Sequence, residues 1–285
     1  MTHPALQMAS EASLGKAEFR DIADMLYADA GIHLAESKAS LVYSRLAKRL
    51  RALNIDSFRD YCTLLASDAG RSERAEMLSA LTTNVTRFFR ERHHFDHLER
   101  AVLPDLLARA QAGKRVRLWS AACSTGQEAY SLALSVLAVD PQAVNYDVKI
   151  LATDIDPRVV AEARAGVYRA AALTDVPAEQ RARRFRAQGE DFAVDEDMRA
   201  LIKFRVLNLN AEWPMRGRFD AIMCRNVAIY FDDATQHALW SRFTHQMQPG
   251  SWLYIGHSER INGPAARDLA PVGITAYRLR GGARE

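Results

Sequence analysis

Residues 115–138 read RVRLWSAACSTGQEAYSLALSVLA, and this stretch decides the fold. Residues 115–120 read as a short strand, with the Val and Trp content of one. Residues 121–128 are small or polar and suit a turn, and residues 129–138 continue as an apolar helix. The alternation repeats downstream. Residues 148–153 (VKILAT) read as a second strand, and Asp156 opens a helix over 158–165. Further strands fit 202–206, 219–224, 252–255 and 274–279, with a helix over 234–247 that ends at Pro249 and Gly250. Strands alternating with helices predict an α/β fold, a mostly parallel sheet covered on both faces. A polar segment between Gly166 and Lys203 is too long for a plain connection and contains a strand-like FAV, so it reads as a small inserted subdomain.

Upstream of Lys114 the periodicity is helical. Phe19, Ile22, Met25 and Leu26 recur at helical spacing, as do Leu41, Leu46, Leu50 and Leu53, with Gly31 and residues 54–57 as punctuation. The expected organisation is a flexible tail over 1–15, an all-α domain over 16–84, a linker helix over 85–114, and the α/β domain over 115–285 with its insertion at about 167–203.

Composition limits the function. The chain has 285 residues, 48% hydrophobic and 26% charged, which is ordinary globular usage. Its net charge of +3 excludes a polybasic nucleic-acid binder. Three scattered cysteines, Cys62, Cys123 and Cys224, make neither a disulfide framework nor a cysteine-built zinc site. No basic start with an apolar core marks the N-terminus, and no apolar run approaches the ~20 residues of a membrane span. A cytoplasmic protein that is not membrane-embedded is expected.

In open α/β sheets, ligands bind at the carboxyl ends of the strands. Here those are residues 121–128, 154–156, 208–209 and 225–230. The first has one glycine rather than GxGxxG, so it suits a ligand without a pyrophosphate, or simply a tight strand-to-helix turn. Asp154 at the second strand end is placed to accept ribose hydroxyls, whereas Asp156, before Pro157, reads as a helix N-cap. Asn84, Thr86 and Arg90 form a polar segment suited to closing a cleft, while Phe88 and Phe89 read as packing at a domain junction. Neighbours along a strand face opposite ways, so His257, Ser258 and Glu259 make no hydrolytic triad. His93, Asp96 and His97 lack a third ligand of the usual zinc pattern, and no metal is expected. Cys123 reads as a packing residue.

Five blocks occur in order: TTNVTRFFRE (82–91), SAACSTGQEAYSLA (120–133), ATDID (152–156), FDAIMCRNVAIYF (219–231) and PGSWLYIGHSE (249–259). Together they resemble the chemotaxis receptor methyltransferases of the CheR family, over about residues 17–280. The resemblance implies a Rossmann-like S-adenosylmethionine-dependent methyltransferase sheet with a small inserted antiparallel β-subdomain, preceded by an all-α N-terminal domain. It implies transfer of a methyl group to glutamate side chains of chemoreceptor cytoplasmic helical bundles, giving glutamyl methyl esters and the product S-adenosylhomocysteine. By position, Asn84, Thr86, Arg90, Glu128, Asp154, Asn208, Leu209, Arg225 and Asn226 match the family's cofactor contacts, and Arg90 and Tyr230 flank the transferred methyl group. Gln127 and Ala129 depart from the commoner Glu and Pro, which implies tuning of cofactor binding.

Arg45, Lys48 and Arg49, spaced i, i+3, i+4, share one helix face. That face is either solvated or, on the resemblance, a dock for acidic receptor helices. The short 185–194 stretch (FRAQGEDFAV) implies an enzyme that works without tethering to a receptor C-terminal pentapeptide. Two other readings remain at this stage, a methyltransferase of a small molecule or nucleic acid, and a non-catalytic cofactor-sensing module. The absence of a (D/N)PP(Y/F) motif counts against amine methylation of nucleic acid.

Overall fold

A computed structural model describes residues 13–82 and 84–281. Residues 1–12 of the expected tail and the last four residues of the expected α/β domain lie outside the described residues. The chain divides into two compact units, residues 1–83 and 84–285.

In the first unit, α1 (Lys16–Ala30) buries Phe19, Ile22, Leu26 and Ala30 and ends at Gly31, whose φ of 69° supplies the left-handed cap. α2 (Ala39–Leu53) buries Val42, Leu46 and Leu50. The expected apolar stripe is rotated there: Val42 is buried, while Leu41 and Leu53 stay exposed. α3 (Phe58–Ala66) starts at Ser57, whose side chain accepts from the Asp60 N–H at 3.1 Å. α4 (Arg71–Leu81) completes the unit and carries Glu73, a buried carboxylate that accepts from Tyr61 Oη at 2.8 Å.

The second unit begins with an extended segment and turns over 84–92. The helix expected from 85 starts only at α5 (His93–His97) and continues through a π-helical turn (Leu98–Val102) into α6 (Leu103–Gln111). Its sheet is built from β1 (Val116–Ala121), β2 (Val148–Asp154), β6 (Ile202–Val206), β7 (Phe219–Cys224), β8 (Met247–Ile255), β9 (Leu269–Gly273) and β10 (Ala276–Leu279). The order is β6-β2-β1-β7-β8-β10-β9. The first five strands are parallel, and β10 and β9 add antiparallel pairs at one edge. α7 (Gln127–Val139), α8 (Pro157–Ala165) and α11 (Asp233–Gln246) supply crossovers. Successive side chains of β1 serve both faces. Leu118 joins the core with α6 and α7, whereas Trp119 meets Trp213, Phe219 and Phe243 at 4.9–5.2 Å.

The insertion is a three-stranded antiparallel sheet, β3-β5-β4, from β3 (Val167–Arg169), β4 (Phe185–Gln188) and β5 (Asp191–Val194). α9 (Ala178–Arg184) and α10 (Glu196–Leu201) flank its strands in sequence. Phe88 is fully buried against Tyr168 and Phe185, and Phe89 against Phe95, so this pair packs within the second unit. Among the described residues, no helix is long and apolar enough to cross a membrane.

Candidate active site

The turn after β1 carries nothing larger than threonine between Ala121 and Gly126, which leaves its backbone open to close approach by a ligand. Ala122 and Ser124 hold φ values of 68° and 50°, and Gly126 holds 95° at the start of α7. A Cβ on Gly126 would meet Ala163 Cβ at 2.8 Å and Tyr168 Oη at 2.9 Å, so this glycine is fixed by helix packing. Asp154, at the end of β2, accepts the N–H of Ser124 at 2.8 Å and that of Asp156 at 3.0 Å, one on each oxygen. Each oxygen keeps a lone pair for a further donor. Burial pushes the Asp154 carboxyl up, against those backbone N–H groups. Asp156 caps α8 through the Arg158 N–H at 2.9 Å, with Pro157 at the first helical position. Asn84 lies over the same turn: its carbonyl accepts from Ser124 Oγ at 3.0 Å, and its Nδ2 reaches Asp156 at 3.5 Å.

Arg225, at the end of β7, is the hub of the site. Its guanidinium pairs with Glu128 at 3.1 Å and Glu91 at 3.2 Å, and donates to the Arg90 carbonyl. Glu128 also accepts from Ser120 Oγ at 2.7 Å; its burial raises its pKa, with Arg225 opposing. Glu91 is held differently. Burial alone would raise its pKa, but the Arg225 charge and hydrogen bonds from His257 and Arg225 bring it down to about 2. It also reaches Asn226 Nδ2 at 3.4 Å and pairs with His257 at 3.0 Å.

Glu259 ties the ends of β7 and β8 together. Its carboxylate is 3% exposed and accepts the N–H groups of Asn226 (3.1 Å), Val227 (3.0 Å), Ala228 (2.8 Å) and Gly256 (2.5 Å). Those amides open the short helical turn Ala228–Tyr230, so Glu259 fixes the loop that presents Tyr230. A Cβ on Gly256 would lie 2.6 Å from Asn226 Nδ2, so only glycine lets the two strand ends approach this closely.

The structure therefore gathers Asn84 and Asp154 at the β1–β2 end and Arg90, Glu128, Arg225 and Asn226 at the β1–β7 end. Arg90 and Tyr230 are both partly exposed, and the Arg90 guanidinium donates to the Val85 carbonyl at 2.9 Å. Thr86 is partly exposed in the same segment as Arg90. Asn208 and Leu209 follow β6, where Leu209 is buried and its carbonyl accepts from Trp213 and Arg242. Glu91 and Glu259 went unassigned at the level of sequence. The available signal was an acid inside each of two quoted blocks, TTNVTRFFRE and PGSWLYIGHSE.

The basic face of α2 is not a free face. Arg45 donates to the carbonyls of Ala80, Leu81 and Thr82, which terminate α4. Arg49 grips Glu73 through two bonds of 2.9 and 2.6 Å and pairs with Glu76. Lys48 remains exposed. Of the three α5 histidines, His94 and His97 make structural contacts and His93 is exposed. His97 Nδ1 meets Tyr254 Oη at 2.9 Å, and Asp96 pairs with Arg92. Glu91, His93 and His94 lie close enough together to share an ion. Arg225 already pairs with Glu91; His94 Nε2 contacts Thr275 Oγ1 and the Ile274 carbonyl, and its Nδ1 faces Glu91 at 3.6 Å.

Residues 84–277 match the CheR methyltransferase SAM-binding domain, and residues 17–82 match the CheR methyltransferase all-alpha domain. The chain belongs to the CheR methyltransferase family. A probable chemotaxis protein methyltransferase of Rhizobium etli is 55% identical over 258 residues, covering 89% of this chain and 96% of that protein. Chemotaxis protein methyltransferase 2 of Pseudomonas aeruginosa is 43% identical, covering 91% and 92%. The Escherichia coli chemotaxis protein methyltransferase is 40% identical, covering 96% and 94%. This CheR chain is thus an S-adenosylmethionine-dependent methyltransferase, and the small-residue turn with its paired acid and asparagine suits a nucleoside cofactor lacking phosphates.

Proposed function

We propose that this CheR methyltransferase acts in the cytoplasm on glutamate side chains of chemoreceptor helical bundles, forming methyl esters for adaptation. One observation carries the reading. The acids that ring the strand ends are all engaged: Glu91 and Glu128 by Arg225, Asp154 and Glu259 by backbone N–H groups. Such a site is poorly equipped to deprotonate an acceptor, and a glutamate, with a reference pKa of ~4.3, arrives already ionised. S-adenosylmethionine supplies the methyl group on a sulfonium, an activated leaving group. Asn84, Thr86, Asp154, Asn208 and Leu209 hold the nucleoside side of the cofactor. Arg225, Asn226 and Glu128 shape its other end. Arg90 orients the acceptor carboxylate as its counter-cation, and Tyr230 borders the approach and restricts water. No residue of the chain forms a covalent intermediate.

Lys48, with the equally exposed Arg51, carries the docking charge of α2. The β4–β5 connection is two residues, Gly189 and Glu190, and supports action without a pentapeptide tether; retention on an immobilised receptor-tail peptide would overturn that part. The reaction is tested by incubating the protein with methyl-labelled S-adenosylmethionine and a receptor cytoplasmic fragment. Base-labile label on glutamate is expected, and stable label would point to a different acceptor. Arg90→Ala is expected to lower turnover at least tenfold; undiminished turnover removes Arg90 from this role.

A further inference from the structure

The exposed apolar side chains of the second unit collect at one end of its sheet. Among the described residues of that unit, the large exposed hydrophobics are Val85, Val206, Ile229, Val272 and Ile274. Val206 closes β6, and Ile229 follows β7. Val272 and Ile274 stand at the β9–β10 hairpin, level with the end of β8 because Ala276 pairs with Tyr254. Val85 adjoins Asn84, which is bonded to the β1 turn. All five therefore crown the carboxyl ends of the parallel strands, where the methyl-transfer site lies.

The strand order sets part of this crown in a line. Ile229 lies over β7, His257 and Arg260 over β8, Ile274 over β10 and Val272 over β9. Strands are spaced about 4.8 Å apart, so the line runs about 15 Å, the length of roughly ten helical residues. His257 and Arg260 are exposed and stand between the apolar side chains, while the exposed Asp233 belongs to the β7 side. Ile274 is 72% exposed in the two-residue turn between β9 and β10, where Thr275 takes the left-handed conformation at φ 50°. Apolar side chains massed beside polar ones at a single edge mark an interaction site more than scattered exposure does.

We propose that Ile229, His257, Arg260, Ile274 and Val272 form a track on which the substrate helix lies while one of its glutamates occupies the site at Arg90 and Tyr230. The inference rests on the receptor reading above. The occupant is an amphipathic acidic helix, with apolar side chains one and two turns from the modified glutamate and carboxylates between them facing His257 and Arg260. The complementarity is in both sign and spacing: apolar, then the Arg260 cation beside the polar His257, then apolar along one line, against apolar, anionic, apolar on a helix face.

Steady-state kinetics with a receptor cytoplasmic fragment tests the track. The unsubstituted protein is assayed first, and failure to form a base-labile ester there disposes of the receptor reading before any variant is made. Ile274→Asp and Val272→Asp are then expected to raise the KM for the fragment at least fivefold, with kcat and S-adenosylhomocysteine affinity within twofold. Ile274→Ser, which adds no charge, is expected to raise it two- to fivefold. A fragment KM within twofold of the unsubstituted value in both Asp variants overturns the track. A loss of S-adenosylhomocysteine affinity equal to the rise in KM overturns it as well.

Discussion

Glu259 shows how much of the site depends on a residue that touches no reactant in the reading above. Four backbone N–H groups converge on its two oxygens, and among the described residues no cation pairs with it. Burial pushes its pKa up while those donors pull it down. The benefit is local order. Asn226 is held at φ 61°, a left-handed conformation that costs most residues about 1–2 kcal/mol and asparagine less, and the turn through Tyr230 is fixed beside it. Glu259→Gln keeps the volume but presents an NH2 group to donors on one side, leaving them unpaired at about 1–3 kcal/mol. Turnover is expected to fall at least tenfold at a temperature where circular dichroism shows the variant folded. Unchanged turnover would show that the Tyr230 turn needs no such anchor. In sequence, His257, Ser258 and Glu259 read as neighbours along a strand, but β8 ends at Ile255 and they lie in the turn beyond it; three of the four Glu259 partners come from a strand end 31–33 residues away and leave no trace in local spacing.

At the scale of elements, the sheet was legible because its central parallel strands are largely buried on both faces and the edge strand β6 alternates buried and exposed residues. The strands expected at 148–153, 202–206 and 219–224 lie within a residue of the observed ones. The misses have physical causes. β9 contains Pro271, which a strand tolerates at a sheet edge or a bulge, and Gly273, which weakens a strand, and β9 is the edge. β8 starts at Met247 rather than 252 and carries Pro249 beside an irregular register with β7. The α2 face follows spacing as well: Val42, Leu46 and Leu50 stand at i, i+4 and i+8, whereas Leu41, five residues before Leu46, points away from that stripe. The same helix settles the basic triplet. Arg49 holds a carboxylate that is 6% exposed and shared with Tyr61, so Arg49→Glu sets like charges together and leaves Glu73 without its cation. A loss of about 2–4 kcal/mol is expected in urea unfolding, against less than about 0.5 kcal/mol for Lys48→Glu. Similar midpoints for the two variants would return Arg49 to the role of a free surface charge.

Across the whole second unit, strain and buried charge are concentrated at one end. All six of its non-glycine residues with positive φ among those described, Phe89, Glu91, Ala122, Ser124, Asn226 and Thr275, lie at the carboxyl end of the sheet or in the segments bonded to it. Such strain persists only where the surrounding structure holds it, and several holders here are titratable, Asp154 at Ser124, Glu259 at Asn226 and His94 at Thr275, so the site is sensitive to pH. His94 is fully buried with its Nε2 on Thr275 and Ile274, and burial, then Arg225 and His93, lower its pKa from 6.5 to about 3. Between those values the unfolded chain binds a proton at this residue that the folded chain refuses. Stability from His94 is therefore complete above pH 6.5 and falls, by about 1.4 kcal/mol per pH unit, as the pH drops toward 3. Glu91, held at about 2 against an ordinary 4.5, adds a loss of the same sign below pH 4.5. Glu128, Asp154 and Glu259 are shifted the other way and oppose it, so the raw pH profile mixes both signs. Subtracting the urea-unfolding profile of His94→Gln, whose amide can still donate to Ile274 and Thr275, cancels the carboxylates common to both proteins. The difference is expected to slope downward from pH 6.5 toward acid, and a flat difference between pH 6.5 and 4.5 would mean that His94 protonates within the fold without penalty.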